Sequence, residues 1–431
     1  MFHVVDLKEM LTFAGQIEKS IMKSKYRTGR YLIFALTVTL LTGCGNKKVK
    51  TKEPSQVNNI AIDNGLRDRL AEFSSKPRTK GQFAFYVYDL TADKPVYGFN
   101  ENKAISVASC LKLLSGVAGL HLLGTQYNYS TSIYTHGRIE NGTLHGDVAF
   151  KGELDPQLNA PDLVMFAKAL KKEGIKKMDG RFILDLLIKD PVKSEPHWYP
   201  WDLSFSRYGV LYKGAPRIMK ELKYALRNQG ISVADNQLVL GKVPQGSRCL
   251  FRFHRSIEPV IERMWKHSSN TQATSLLYTI GHRVSPHGSP TDAGVAYLRH
   301  FLREDLGQTD TSLVIHDGCG LCTYNHLSPV ALTAILCYGY KDKSIYQMLN
   351  KYLSISGVDG TLRRELNDSK LRGKIHAKTG TLSHPYGISS LAGYCDGGNG
   401  HALAFSIVNT EMSVLDARVL QNRLCKALIA K

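Results

Sequence analysis

The segment from Ile105 to Gly124, I-S-V-A-S-C-L-K-L-L-S-G-V-A-G-L-H-L-L-G, is apolar almost all the way round a helical projection. Leu111, Leu114, Val117, Ala118, Leu120 and Leu122 recur at nearly helical spacing. A helix without a wet face must lie inside a larger domain, so the chain has to build other elements on every side of it. Two polar residues interrupt the pattern. Ser109 falls near the first turn, where unpaired backbone N–H groups and the positive end of the dipole favour developing negative charge. Lys112 follows three residues later, which places its amine on the same face as the Ser109 hydroxyl. An amine held in apolar surroundings loses solvation, its pKa falls, and it can take the hydroxyl proton. The pair has the chemistry of a nucleophile with its base.

Serine and lysine are common, and S-x-x-K arises about once by chance in a chain of this length. Ser20–Lys23 also fits, but in a basic N-terminal segment with no buried helix. Two further motifs set Ser109–Lys112 apart. Ser268-Ser269-Asn270 is the only S-x-N and opens a helix-like stretch, Thr271–Ile280. Lys378-Thr379-Gly380 is the only K-T-G and lies in Lys374–Leu382, which alternates as a strand beside glycine-rich turns. The ordered set S-x-x-K, S-x-N, K-T-G resembles the signature of penicillin-recognising acyl-serine enzymes.

A chain of 431 residues exceeds one typical core and suggests two domains plus a leader. Its formal charge of +19 is unusual. Part of it lies in the leader and in the run Lys47-Lys48-Val49-Lys50-Thr51-Lys52; the rest is spread along the chain. No basic stripe with interleaved aromatics occurs, so no nucleic-acid partner is expected. An anionic envelope and a substrate ending in a free carboxylate suit this charge; a uniformly basic proteome would account for it equally. Met22–Arg30 reads as a basic n-region and Tyr31–Leu41 as an apolar core too short to span a membrane comfortably. Leu41-Thr42-Gly43-Cys44 then resembles a bacterial lipobox, with Cys44 as the lipidated residue, Met22 as the expected true start and an outer-membrane lipoprotein as the expected product. A signal anchor with an incidental cysteine is the alternative. Seven further cysteines cannot all pair and show no disulfide framework. Cys319-Gly320-Leu321-Cys322 invites a redox reading, but no thioredoxin-like helix begins at its second cysteine and zinc would need a second pair.

Along the chain, Asn46–Ser55 reads as a polar linker, Ile60–Phe73 as an amphipathic helix and Gln82–Leu90 as a strand. Residues 129–158 read as short strands broken by glycine turns. Two segments look alike: a helix at Asp162–Glu173 and another at Ala215–Gln229, each followed by Gly-Ile and then a strand, at Arg181–Leu187 and near Gln237–Leu240. Glycine at a helix end followed by an apolar residue is a common terminating device and need not mean duplication. The 159 positions from Ser109 to Ser268 leave room for one inserted α/β domain. Helices at Thr291–Leu302 and from Ser328-Pro329 to about Tyr338 follow, then strands at Lys374–Leu382, Ser389–Tyr394 and Ala402–Asn409, and a closing helix at Leu415–Ile429. The expected division is a leader and linker at 1–56, a discontinuous core domain at 57–125 and 260–431, and an insertion at 126–259.

Over about residues 57–428 the chain resembles the class C low-molecular-mass penicillin-binding proteins, the D-alanyl-D-alanine carboxypeptidase/endopeptidase family. Beyond the three motifs, the resemblance rests on Gly146-Asp147 to Asp155-Pro156, Asp317-Gly318-Cys319-Gly320-Leu321-Cys322 with Asn325 and Ser328-Pro329, Gly357–Leu362, and Ala377–Leu382 with Leu391–Tyr394. It implies an α/β (α+β) fold: a penicillin-binding, transpeptidase-like domain with an antiparallel sheet flanked by helices. It also implies roles. Ser109 would attack the penultimate D-alanine carbonyl with Lys112 as base, and backbone N–H groups of Ser109 and Thr381 would form the oxyanion hole. Ser268 would relay a proton to the leaving amine and Asn270 would position the substrate amide. Lys378, Thr379, Gly380 and Thr381 would form the carboxylate-binding strand. No metal or cofactor is implied, and β-lactams would inhibit. The chain departs from the family at Cys319 and Cys322, where serines are usual, and at Thr274, usually acidic. Two rival readings are a serine β-lactamase, whose loop is half-echoed at Glu365-Leu366-Asn367 with Arg363 in the base position, and an inactive wall-binding lipoprotein.

Overall fold

The computed structural model describes residues 60–76, 81–199, 202, 207–383 and 387–431. Ser20–Lys23, the leader and Cys44 lie outside the described residues.

Helix α1 (Asn64–Ser75) begins at Asp63, whose carboxylate accepts the Leu66 N–H. A hairpin of β1 (Gln82–Asp89) and β2 (Lys94–Phe99) follows, then a short strand β3 (Ile105–Ser106). The buried segment differs from expectation at its start. Ile105–Ser106 pairs with Leu327 and His326, Ala108–Cys110 forms a 3-10 turn, and the α-helix proper, α2, runs Leu111–Leu123. The reason is local: Ala108 adopts a left-handed φ of 45°, which no α-helix can continue through. Every residue of α2 from Leu111 to Leu120 is buried.

The inserted stretch forms β4 (Asn128–Glu140), β5 (Thr143–Gly152), α3 (Leu163–Lys172), β6 (Lys177–Met178), β7 (Phe182–Leu186), α4 (Ala215–Asn228), β8 (Leu238–Leu240) and β9 (Arg248–Ser256). Then come α5 (Glu258–Lys266), α6 (Asn270–Val284), α7 (Pro290–His300), β10 (His326–Leu327), α8 (Pro329–Lys341) and α9 (Lys343–Tyr352). The chain ends with β11 (Ser354–Ile355), β12 (Ile375–Leu382), β13 (Ile388–Asp396), β14 (Ala402–Thr410) and α10 (Val414–Ile429).

Two six-stranded sheets organise these elements. The first is antiparallel throughout, in the order β11-β12-β13-β14-β1-β2, so the first hairpin of the chain completes the sheet begun by its last strands. Its strands alternate with period two. Phe83, Phe85 and Val87 of β1 and Leu403, Phe405 and Ile407 of β14 meet Leu66, Leu70 and Phe73 of α1 and Leu420, Leu424 and Leu428 of α10. Ala84, Ala392, Ala404 and Val408 point the other way, into the core that holds α2 and α8. Both faces are thereby covered.

The second sheet runs β8-β7-β5-β4-β9, with β6 beside β5, and mixes the two pairing modes. β4 pairs antiparallel with β5 and β9, while β5–β7 and β7–β8 are parallel. Parallel neighbours need a crossover, and the two look-alike segments supply it: α3 joins β5 to β7 and α4 joins β7 to β8. Each helix ends on a left-handed glycine, Gly174 or Gly230, and the next isoleucine N–H bonds back to the helix, Ile175 to Leu170 and Ile231 to Leu226. The expected short strands at 129–158 are instead two long ones. Only Gly142 turns the chain; Gly137 and Gly146 face each other across the ladder, close enough that a side chain on either would strike the opposite backbone.

Candidate active site

The left-handed turn at Ala108 tips Ser109 out of the core at the mouth of α2. It is pinned from the sheet side. The Ser390 hydroxyl donates to Val107 O at 2.6 Å, and the Cys110 thiol donates to Lys378 O at 3.2 Å. Gly380, paired with Ser390 across β12 and β13, lies flat against this turn: a Cβ there would fall 2.5 Å from Val107 O and 3.0 Å from Cys110 N. One turn further on, Lys112 is wholly buried, and its amine sits 2.8 Å from Ser109 Oγ, 2.7 Å from Asn270 Oδ1 and 2.5 Å from Cys319 O. Burial pushes this amine below the ordinary lysine range, and the negative potential of Cys319, Asp317 and Cys110 pulls the other way. Trp265 Nε1 closes the far side by donating to Lys112 O.

Cys319 O is delivered by a loop built around one buried carboxylate. Asp317 accepts the N–H groups of Cys319, Gly320 and Cys322, the Asn325 side-chain amide and the Trp198 indole. Asn325 closes the loop, accepting from His316 N and donating to Cys322 O. Gly320 packs directly on Ala108, where any side chain would meet Ala108 O at 2.0 Å. The Ser115 hydroxyl anchors Gly318 O at 2.6 Å.

The second motif enters from the start of α6. Ser269 caps the helix, its hydroxyl accepting Gln272 N–H, and Ser268 takes a left-handed φ of 56°. Ser268 thereby turns toward β12, and the wholly buried Lys378 donates to its Oγ at 2.9 Å and to Thr379 O at 2.6 Å. Burial and the neighbouring Lys112 lower the Lys378 pKa to about 7. Along β12, Lys378 and Gly380 face the α2 turn, while Thr379 and Thr381 face away, opposite Leu391 and Ser389. β13 pairs with the whole of β12, but on the other side β11 reaches only His376 and Ala377. The edge from Lys378 to Leu382 therefore has no neighbouring strand among the described residues. A cavity of about 340 Å³ wraps round it from Ser109 and Ser268, past Thr379 and Thr381, to Glu365 and Arg418.

The three sequence motifs thus converge on one cleft, with Asn270 on Lys112 and Ser268 on Lys378. Gly380 serves by its missing side chain and Thr381 by lining the cavity. Sequence reasoning gave no site role to Thr361, whose hydroxyl accepts from Thr379 at 2.8 Å, or to Asp317 and Asn325, and did not name Trp198. The stretches carrying Thr361 and Asp317–Asn325 were visible as motif-like blocks, whereas nothing in the sequence points Trp198 at Asp317. All seven described cysteines are free. Burial pushes the Cys319 thiol well up and Cys322 to about 11, which disfavours the thiolate that redox chemistry requires. Among the described residues no cluster of histidine, cysteine and carboxylate side chains could hold a metal ion, and no helix is long and apolar enough to cross a membrane.

The model of the D-Ala-D-Ala carboxypeptidase 3 (S13) family matches residues 66–209 and 211–429. A D-alanyl-D-alanine carboxypeptidase of Actinomadura sp. strain R39 is 33% identical, over 80% of each chain. The D-alanyl-D-alanine carboxypeptidase DacB of Haemophilus influenzae is 21% identical over 78% of this chain and 87% of its own. The crystal structure of penicillin binding protein 4 (dacB) from that organism superposes with a TM-score of 0.70 at 20% identity, covering 82% of this chain and 97% of that one, and it has also been solved with a β-lactam. A predatory peptidoglycan endopeptidase of Bdellovibrio bacteriovorus has the same fold, with a TM-score of 0.56 at 16% identity, covering 80% and 92% of the two chains.

Proposed function

The chain belongs to the D-Ala-D-Ala carboxypeptidase 3 (S13) family, and from that premise we propose how its residues divide the work. It is a serine-type D-Ala-D-Ala carboxypeptidase and endopeptidase, acting on peptidoglycan stem peptides in the bacterial cell envelope and inhibited by β-lactams.

Ser109 Oγ attacks the carbonyl carbon of the penultimate D-alanine while its proton passes to Lys112 Nζ. The carbonyl electron pair moves to oxygen, which the N–H groups of Ser109 and Thr381 hold as the charge develops. Collapse breaks the C–N bond as the proton held by Lys112 is relayed through Ser268, bridged to Lys378, to the leaving amine, which restores Lys112 as a neutral base. Water then attacks the acyl-serine carbonyl with Lys112 accepting its proton, and collapse breaks the C–Oγ bond as that proton returns to Ser109. Asn270 orients the substrate amide, and Lys378 with Thr379 and Thr381 receives the terminal carboxylate. The observation that carries this reading is the wholly buried Lys112 amine 2.8 Å from Ser109 Oγ. The cavity continues beyond Thr379 to Glu365 and Arg418, more room than a single D-alanine needs, which supports cleavage of D-alanyl crosslinks as well as of free ends.

Residues 57–125 and 260–431 are read as the catalytic domain and 126–259 as its insertion. Cys44 is read as a lipid anchor, following a cleaved signal segment and holding the enzyme on the periplasmic side of the outer membrane. Mass spectrometry of the N-terminal peptide, with Cys44→Ser alongside, tests the anchor: a diacylglyceryl mass lost in the variant supports it, and an unmodified Cys44 removes it.

The site is tested by labelling the full chain in detergent with a fluorescent penicillin, beside Ser109→Ala. A stable adduct lost in the variant supports the acyl-serine reading. No adduct with penicillin intact would sink it, and no adduct with penicillin consumed would make the protein a β-lactamase.

A further inference from the structure

Asp317 is a buried carboxylate with no part in bond making, yet five N–H donors converge on it. Four belong to its own loop. The fifth, Trp198 Nε1 at 2.8 Å, comes from the turn 195–199, which lies 119 positions earlier in the inserted stretch. That turn is docked at several points. Glu195 accepts the Tyr278 hydroxyl of α6 and the Thr291 hydroxyl of α7. The His197 ring lies 5.3 Å from His316 and 5.2 Å from Tyr324, and His197 holds a left-handed φ of 71°. A non-glycine residue kept in that conformation is over-determined by its surroundings, which is common where geometry matters for function.

We propose that Trp198 is a positioning residue for acylation: its indole N–H completes the donor shell of Asp317 and so holds the Cys319 carbonyl against the Lys112 amine. In loop 317–325 the N–H groups of Cys319, Gly320 and Cys322 and the Asn325 side-chain amide all reach Asp317, and the loop so held aims Cys319 O at Lys112. Among the described residues Trp198 is the only member of the shell from outside the loop, so it ties the inserted stretch to the catalytic amine. It also compensates part of the Asp317 charge. With that donor gone, the carboxylate favours the protonated form of Lys112 more strongly. Facing Lys112 are also Cys110, Cys319 and Lys378; facing Asp317 are also Glu195, Asp202, His316 and Cys322. None of these changes when only the indole N–H is removed.

The proposal rests on Lys112 as the base of the reaction. The test is the acylation rate constant of the full chain with fluorescent penicillin, followed across pH for wild type, Trp198→Phe and Tyr278→Phe. In Trp198→Phe the rising limb is expected to move to higher pH. The rate near neutrality should fall about tenfold, the scale of one hydrogen bond to a charged group, with the curves converging at alkaline pH. Tyr278→Phe removes the hydroxyl by which α6 holds Glu195 of the same turn, without touching Asp317, and should lower the melting temperature while leaving the profile in place. Replacing Trp198 by benzothienylalanine keeps the ring shape and deletes only the N–H; it decides the matter where Trp198→Phe does not fold. A wild-type profile in that variant, or a loss equal at every pH, overturns the proposal. Absence of acylation in wild type would instead overturn the reading of the site on which it rests.

Discussion

The two sheets solve different problems with different materials. The inserted sheet is assembled mainly from neighbours in sequence: one long hairpin and two helical crossovers, each ended by the same glycine device. Its charged groups pair mainly at the surface, as Arg181 does with Asp147 and Arg248 with Glu173. The catalytic sheet is closed by partners from opposite ends of the chain, Gln82 against Thr410 and the Cys110 turn against Lys378. Beside it lie two wholly buried lysines and the left-handed Ala108 and Ser268. Within the inserted sheet and its crossovers the described left-handed non-glycine residue is Asn141, in a hairpin turn; the other one in the insertion, His197, belongs to the turn that docks on the site. The two buried amines and the left-handed Ala108 and Ser268 gather where acyl transfer would occur, whereas the buried carboxylates of the insertion, Asp155 and Asp185, are each paired with a cation, Arg255 and Lys242. Stability and function should therefore respond in opposite ways to changes in the two regions.

The largest expected effect breaks the catalytic side alone. Lys112→Met keeps the length of the side chain and removes the base, so penicillin acylation should fall on the order of 10³-fold or more. The melting temperature should hold or rise, because a buried amine gives way to an apolar chain. A large loss of stability would show that Lys112 is a structural cation. Next comes Gly380→Ala. Its Cβ would press Val107 O and Cys110 N away from β12, displacing Ser109 relative to the strand, and acylation should drop on the order of 10²-fold. Unchanged acylation would mean that the turn yields without consequence.

A subtler effect comes from pH. Both lysine amines are lowered by burial, Lys378 to about 7. Acylation needs Lys112 neutral and so rises with pH, levelling off below the ordinary lysine range. Carboxylate capture needs Lys378 charged, so kcat/KM, which reports the free enzyme, should decline as pH rises past about 7. A bound carboxylate favours the ammonium form, so kcat should decline at higher pH than kcat/KM. Coincident descending limbs would remove Lys378 from carboxylate binding. The sign for stability follows the same shift. The unfolded chain keeps the Lys378 proton to a higher pH than the folded one, so stability should increase with pH from about 7 into the ordinary lysine range.

How much of this was legible before the structure depended on whether the information was local. The spacing of Ser109 and Lys112, the helix start at Ser328-Pro329, and the helix-ending Gly174 and Gly230 are all written within a few residues, and the observed elements follow them. The hairpin at 128–152 misled because Gly137 and Gly146 resemble turn residues, and only pairing across the ladder explains them. The 3-10 start of α2 was hidden because alanine does not announce a left-handed φ; room for the turn comes from two other segments, where Gly320 and Gly380 carry no side chain to meet it. Trp198 was invisible for the same reason, since its partner lies 119 positions away.

The smallest effect isolates the inserted sheet. Gly174 has a φ of 82° and open space where a Cβ would stand, so Gly174→Ala meets no neighbour and costs only the left-handed conformation. That is about 1 kcal/mol, or roughly 2–4 °C in melting temperature for a domain of this size. Acylation and its pH profile should not move, because Gly174 ends α3 on the side of the insertion served by Ile175 and Leu170, and no hydrogen bond described here joins it to turn 195–199. Thermal melting beside penicillin labelling checks both halves. If so small a local change altered the acylation profile, the two regions would be coupled through their packing at large, and the division between the insertion and the site would fail. If only the melting temperature moves, coupling has to pass through specific contacts, and among the described residues the Trp198 indole on Asp317 is one that leads to Lys112.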